Sequence, residues 1–268
     1  MEIDYAQLSA LFPELSGQMR CALSNLYLSA SQLASPVQRE QDPDLDVRAA
    51  RLDQSYYQML RLVNNLAMSE YLLQDQPLNL QNEDLVQLAG GLCERSSDLA
   101  ELLGIDLRFV CAMDRRICAV HARSIEQLLY HLLSNALKNT PQGGTVTVEL
   151  RHSGSRIQLS VTDTGCGMSE ERKKHLFSLG GSSRDLPNPN ATGVGLVLCR
   201  RIAECHGGTL LADFPKSGGC RFTLDLPDRQ LTGQLSDIPY VYEGGFNPTL
   251  LGLADVLPVS AFLIRNRD

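Results

Sequence analysis

From Leu8 onward, apolar residues recur at alternating spacings of four and three: Leu8, Phe12, Leu15, Met19, Ala22, Leu26 and then Leu33. That period lays one apolar seam along a helix, as in a coiled coil. Pro13 interrupts it, so the pattern predicts a regular helix from about Pro13, with a separate short segment before it. Residues 35–44, SPVQREQDPD, hold two prolines and no helical stripe and read as a connector. A second seam follows through Leu45, Ala49, Leu52, Tyr56, Met59, Val63, Leu66 and Leu73. Two long amphipathic helices with a short link predict an antiparallel hairpin, which cannot cover both of its apolar faces by itself. Pairing of two hairpins into a dimeric four-helix bundle solves this, and packing of the hairpin on the rest of its own chain is the alternative.

After Gln76 and Pro77 the period changes. The stretch LNLQNEDLVQLAGGLCERSSDLAELLG reads as strand then helix, and residues 145–150, 156–163 and 220–226 alternate as strands do. Helices are expected at 124–139 and 194–206. Segregated strands and helices predict an α+β fold, a sandwich of one sheet against a helical layer. The expected organisation is residues 1–76 as the helical hairpin, 77–227 as the α/β-sandwich domain and 228–268 as a C-terminal extension. That extension is too apolar to float freely and should dock on a folded surface, as an intramolecular clasp or as a segment for a partner.

Composition narrows the partners. The 268 residues are 43% hydrophobic and 21% charged, the balance of a soluble globular protein. Lys and Arg number 24 against 31 Asp and Glu, a net charge of -7 that is the wrong sign for gripping nucleic acid. No apolar run approaches the roughly 20 residues of a membrane helix, and the N-terminus has no signal-peptide pattern, so no membrane span and a cytoplasmic location are expected. Eight scattered cysteines without a C-x-x-C pair read as reduced thiols. All five histidines lie at or beyond His121.

Three segments carry candidate chemistry: HLLSNALKNTP (131–141), DTGCGM (163–168) and ATGVGLVLCRRIAECHGG (191–208). In this order they resemble the N, G1 and G2 boxes of the ATP-binding domain shared by sensor histidine kinases, gyrase, heat-shock chaperones and mismatch-repair ATPases. The resemblance to this GHKL or Bergerat-type domain covers about residues 78–227. It implies ATP and Mg²⁺ as cofactors, with Asn135 offering a side-chain carbonyl to a metal that otherwise keeps waters and phosphate oxygens. Lys138, on the same helix face, can reach phosphate charge. Asp163, at a strand end, would accept a hydrogen bond from the adenine amino group. Gly165 and Gly167 permit a sharp turn and a close backbone approach. Thr192, Gly193, Gly195 and Leu196 sit where a helix begins, so its N–H groups can meet phosphate. Residues 178–191 read as a lid whose one cation is Arg184. Ala191 stands where the family has its first glycine.

Each residue also has a plainer reading: an Asn on a neighbouring backbone group, a solvated Lys138, an idle surface Arg184, a simple turn at the glycines. His131, one turn before Asn135, is a candidate base or metal-shell residue, or a packed helix histidine. In hydrolysing relatives a glutamate stands near this position, so His131 points to a kinase rather than a hydrolase. His206, before two glycines, reads as a structural cation at a helix C-terminus.

The resemblance makes the hairpin a dimerisation and phosphoacceptor domain, yet SGQMRCAL (16–23) departs from its Ser-His-Glu-Leu-Arg-Thr-Pro-Leu-like box. Ser16, Met19, Arg20 and Leu23 fit, but Gly17 stands in the place of the acceptor histidine, Gln18 in that of the acid and Ala22 in that of the proline. The expectation is a pseudokinase of two-component signal transduction that binds Mg-ATP without phosphorylating this helix, with a response regulator or partner kinase as its partner. An active kinase phosphorylating a histidine on another protein, and a nucleotide-free scaffold, are the alternatives.

Overall fold

Helix α1 runs from Tyr5 to Leu33 without a break at Pro13. An internal proline removes one backbone hydrogen bond and can bend a helix without ending it when the turns on either side hold. The connector is also helical. Ser35 and Gln38 form a reciprocal capping box, and Pro36 occupies the first turn of α2 (Pro36–Gln41). Helix α3 (Pro43–Leu73) follows and packs back along α1. These residues form the first of two units, residues 1–76 with 245–268, and residues 77–244 form the second. The computed structural model describes residues 5–73, 78–177, 194–216, 218–232 and 246–266.

The α1 seam is largely uncovered. Leu15 and Met19 are about half exposed, Leu26 is 65% and Leu33 81% exposed, and on α3 Leu52 and Met59 continue the open strip. A different stripe of α3, through Asp46, Ala50, Asp53 and Tyr57, is buried.

The second unit begins with β1 (Gln81–Asp84) and α4 (Leu85–Glu101), whose first turn is capped by the Asp84 carboxylate accepting from the Val86 N–H. Then come β2 (Asp106–Cys111), β3 (Ile117–Val120), α5 (Ala122–Asn139), β4 (Thr145–Ser153), β5 (Arg156–Asp163), α6 (Glu170–Lys174), α7 (Val194–Cys205), β6 (Thr209–Asp213) and β7 (Arg221–Pro227). Strands β1 and β3 make a two-stranded antiparallel ribbon. The main sheet has the order β2-β4-β5-β7-β6, with β2 and β4 parallel and the other neighbours antiparallel. Helices α4, α5 and α7 lie against this sheet, giving the expected α+β arrangement. The core forms where Val146, Val148 and Leu150 of β4 and Ile157, Leu159 and Val161 of β5 meet the leucines of α5. Residues 228–232 stay with this unit: the Arg229 carbonyl accepts from the Ala119 N–H, and Leu231 and Asn82 exchange hydrogen bonds.

Beyond it, α8 (Pro248–Leu253) and two 3-10 turns, Val259–Phe262 and Ile264–Asn266, belong to the first unit, where α8 and the first turn pack on α3 and the second turn on α2. Among the described residues no helix is long and apolar enough to cross a membrane.

His206 corrects one reading. It ends α7 beside Gly207, which has φ +70°, but it is fully buried and neutral rather than a cation. Its Nδ1 donates to the Ile202 carbonyl at 2.7 Å, which leaves Nε2 to accept from the His121 N–H at 3.1 Å. Burial pushes its pKa down from 6.5 to about 4. In the unfolded chain this histidine takes a proton near pH 6.5, whereas the folded chain refuses it until about pH 4, so acid favours unfolding across that window and not above it. The second unit should therefore lose on the order of 3 kcal/mol of stability between pH 6.5 and 4 on this account. Denaturation followed against pH checks this, with His206→Gln expected to flatten the slope.

Candidate functional site

Helix α5 buries Leu128, Leu129, Leu132, Leu133 and Leu137 against the sheet. A repeat of four then places His131, Asn135 and Asn139 in one row. His131 is buried, while Asn135, Lys138 and Asn139 are half-buried. Asn139 secures the last turn by donating its side-chain amide to the Asn135 carbonyl at 2.6 Å.

The far end of this row meets the turn after β5. The alternation of β5 puts Asp163 on the same buried face as Ile157, Leu159 and Val161. Its Oδ1 accepts from the Gly165 N–H at 2.9 Å. Burial raises the Asp163 pKa, opposed by the backbone hydrogen bonds of Gly165 and Cys220. A Cβ on Gly165 would lie 2.1 Å from the Asn139 carbonyl oxygen, so glycine is required there by helix packing. Gly167 is needed for a different reason, its φ of +73°. On the opposite side, Gly219 has φ +78° and comes so close to Asp163 that a Cβ would sit 1.9 Å from the Asp163 carbonyl oxygen.

The near end of the row meets the start of α7. A Cβ on Gly195 would lie 3.1 Å from His131 Nδ1. Thus His131 packs against the glycine of the third segment, Asn139 against that of the second, and Asn135 lies between them on the same helix face. Leu196 is half-buried on the first turn of α7. Arg184, Thr192 and Gly193 lie outside the described residues.

Asn139 and Gly219 join the site without having been singled out by the sequence. Asn139 was signalled by its spacing of four from Asn135, and Gly219 by the Gly-Gly pair that opens the way into β7. Among the described residues no group of three or more His, Cys, Asp or Glu could hold a metal ion. The oxygen donor that the row offers is the side-chain carbonyl of an asparagine, which suits a hard ion that keeps most of its water and phosphate ligands, whereas the His131 imidazole does not.

In the first unit, Gly17 is exposed on α1, and a Cβ there would meet no neighbouring atom within 4 Å. No packing demand explains a glycine in this helix. Gln18 is exposed too, donating to the Glu14 carboxylate at 3.2 Å.

Residues 120–230 match the family described as "Histidine kinase-, DNA gyrase B-, and HSP90-like ATPase". The sensor protein DivL of Caulobacter vibrioides is 34% identical over 142 residues, 53% of this chain and 18% of DivL. The adaptive-response sensory kinase SasA of a Synechococcus species is 38% identical over 132 residues, 47% of this chain and 33% of SasA. The matched stretches thus span a third or less of these relatives' length. Among solved structures, full-length ShkA in complex with AMPPNP aligns with a TM-score of 0.66 at 22% identity, over 83% of this chain and 46% of ShkA. The catalytic domain of histidine kinase ThkA aligns at 0.51 and 22% identity, over 56% of this chain and 97% of that domain. At these identities the two structures establish the fold.

Two glycine substitutions should have opposite effects. Gly165→Ala forces a methyl into the α5 backbone and should cost about 2–3 kcal/mol of unfolding free energy. Gly17→Ala fills open space in a helix and should gain up to about 1 kcal/mol. Chemical denaturation of the two variants reads both.

Proposed function

We propose, from the match of residues 120–230 to the histidine kinase-, DNA gyrase B- and HSP90-like ATPases, that the protein is a dimeric signalling protein of the histidine kinase family that binds Mg-ATP and does not phosphorylate its own first helix. The observation that carries the nucleotide site is the single face of α5, where Gly195 meets His131, Gly165 meets Asn139 and Asn135 lies between. The two glycine segments are thereby held at opposite ends of one short row, the spacing a nucleotide needs to have its base read at one end and its phosphates at the other.

In this reading Asp163, buried and already fixed by Gly165, accepts from the adenine amino group. The first-turn N–H groups of α7 meet phosphate, with Lys138 adding charge from α5. Thr192, Gly193 and Arg184 are proposed to complete the phosphate end. Mg²⁺ would neutralise phosphate charge, with Asn135 as its protein ligand. His131, packed against Gly195, acts by setting the α5–α7 distance rather than as a base. The acceptor role is missing from α1, because Gly17 carries no nucleophile and the nearest histidine in the sequence is His121. The open apolar seam of α1 supports pairing with a second hairpin, in a cytoplasmic setting with a response regulator or partner kinase downstream.

Calorimetry with Mg-ATP should give binding heat that Asp163→Asn abolishes. Radiolabelled ATP should leave no acid-labile phosphate on the isolated chain. Label on the chain alone would overturn the loss of self-phosphorylation, and label appearing only on an added partner would make the protein a kinase acting in trans. Absence of heat with the unmodified chain would make it a scaffold. For the dimer, sedimentation should give twice the chain mass, reduced to one chain by Met19→Asp combined with Leu26→Asp.

A further inference from the structure

The segment 246–266 lies beyond the matched residues 120–230, and no step of the nucleotide reading uses it. Side chains of α2 and α3 hydrogen-bond to its main chain. Gln54 donates to the Leu257 carbonyl at 2.8 Å and Gln58 to the Ala254 carbonyl at 3.1 Å. Arg39 donates to the Phe262 carbonyl at 3.0 Å. The Tyr57 hydroxyl accepts from the Asn247 N–H at 3.3 Å, and Asp46 from the Ile264 N–H at 3.3 Å. Its apolar side chains are buried as well: Leu250, Leu251, Leu253 and Leu257 are 3% exposed or less, Phe262 is fully buried with its ring centroid 5.6 Å from that of Tyr57, and Asp255 pairs with Arg61.

The face beneath the segment is charged. Arg39 donates from Nε to Asp46 at 2.8 Å and from Nη1 to Asp53 at 2.7 Å, and all three residues are buried. Permanent burial gives no reason for such a cluster, since well-packed apolar residues of similar volume are often as stable or more so. Charged side chains of this kind are solvated whenever the face is uncovered, so the face is less costly to expose than an apolar one. The segment itself is a six-residue helix and two 3-10 turns, none long enough to hold its shape alone. A short peptide with no stable form of its own, which seats its leucines and Phe262 and is gripped at its carbonyls by long polar side chains, is arranged as a bound ligand is.

We propose that the α2–α3 face is a peptide-binding surface whose resident ligand is the chain's own segment 246–266, docked in cis and released when a partner protein offers a segment of the same chemistry. That segment would present leucine and phenylalanine side chains and a carboxylate for Arg61. The inference stands apart from nucleotide binding and is tested without it.

Hydrogen exchange on the full chain is the first measurement. The amides of Leu251, Leu257 and Ala261 should exchange through an opening that leaves those of α3 protected; exchange of both together would overturn the proposal. The second uses a fluorescent peptide of residues 246–266 and the full-length Asp255→Lys variant, in which two cations repel and the tethered segment undocks. The peptide should bind this variant at least ten-fold more tightly than the unmodified chain. Equal affinity, no binding, or loss of helical signal in the variant would each sink the idea, the last because the segment would then be an inseparable part of the fold.

Discussion

The candidate site depends on glycine backbones that approach their neighbours closely, at Gly165 and Gly219 more closely than any side chain permits. Gly165 lies against the Asn139 carbonyl and Gly195 against the His131 ring, while Gly219 closes on Asp163 from the other side. Interiors pack densely enough that a methyl group at Gly165 or Gly219 would have to displace a main chain, and one at Gly195 would have to shift the His131 ring. The glycines therefore fix distances between elements before any ligand is considered. Asp163 gains its buried setting from the same arrangement, because the strand alternation points it inward and the tight turn supplies the N–H it needs. Packing and chemistry at this site are thus one requirement met by the same few residues.

Much of this was legible in the sequence where the information is local. The alternation of 156–163 places Asp163 on the core side, and the repeat of four on 131–139 places His131 and Asn135 together. Helix α2 was equally local, since Ser35, Pro36 and Gln38 spell a capped helix start, but two prolines in ten residues read more strongly as a connector. Proline's warning was also too strong at Pro13, where the helix continues. Strands β2 and β3 gave little signal: β2 is a sheet edge with Asp106 and Arg108 exposed, and β3 has four residues. Gly219 and the neutral state of His206 depend on groups distant in sequence, Asp163 for one and the His121 N–H for the other. No periodicity reports such pairings.

The first unit follows a different logic. A hairpin with two apolar-bearing sides must dispose of both, and here the solutions differ in kind. One side, through Leu15, Met19 and Leu26, remains open and uniformly apolar. The other carries Arg39, Asp46, Asp53 and Arg61 among its apolar residues and is covered by the chain's own C-terminal segment. An apolar seam rewards a partner of fixed register, and a charged one tolerates a partner that comes and goes. The two sides of the unit thus differ in chemistry, one apolar and open and the other charged and covered.

The parallel pairing of β2 with β4 has a kinetic consequence. All other neighbouring strands in the main sheet run antiparallel, but this pair cannot be closed by a tight turn. The chain between the two strands contains β3 and the whole of α5. That edge of the sheet can register only once the long connection that holds α5 has folded back, a long-range contact of the kind that slows folding. Damage to the leucine face of α5 would be felt first as sluggish folding and exposure of an unpaired strand edge, well before any ligand is offered.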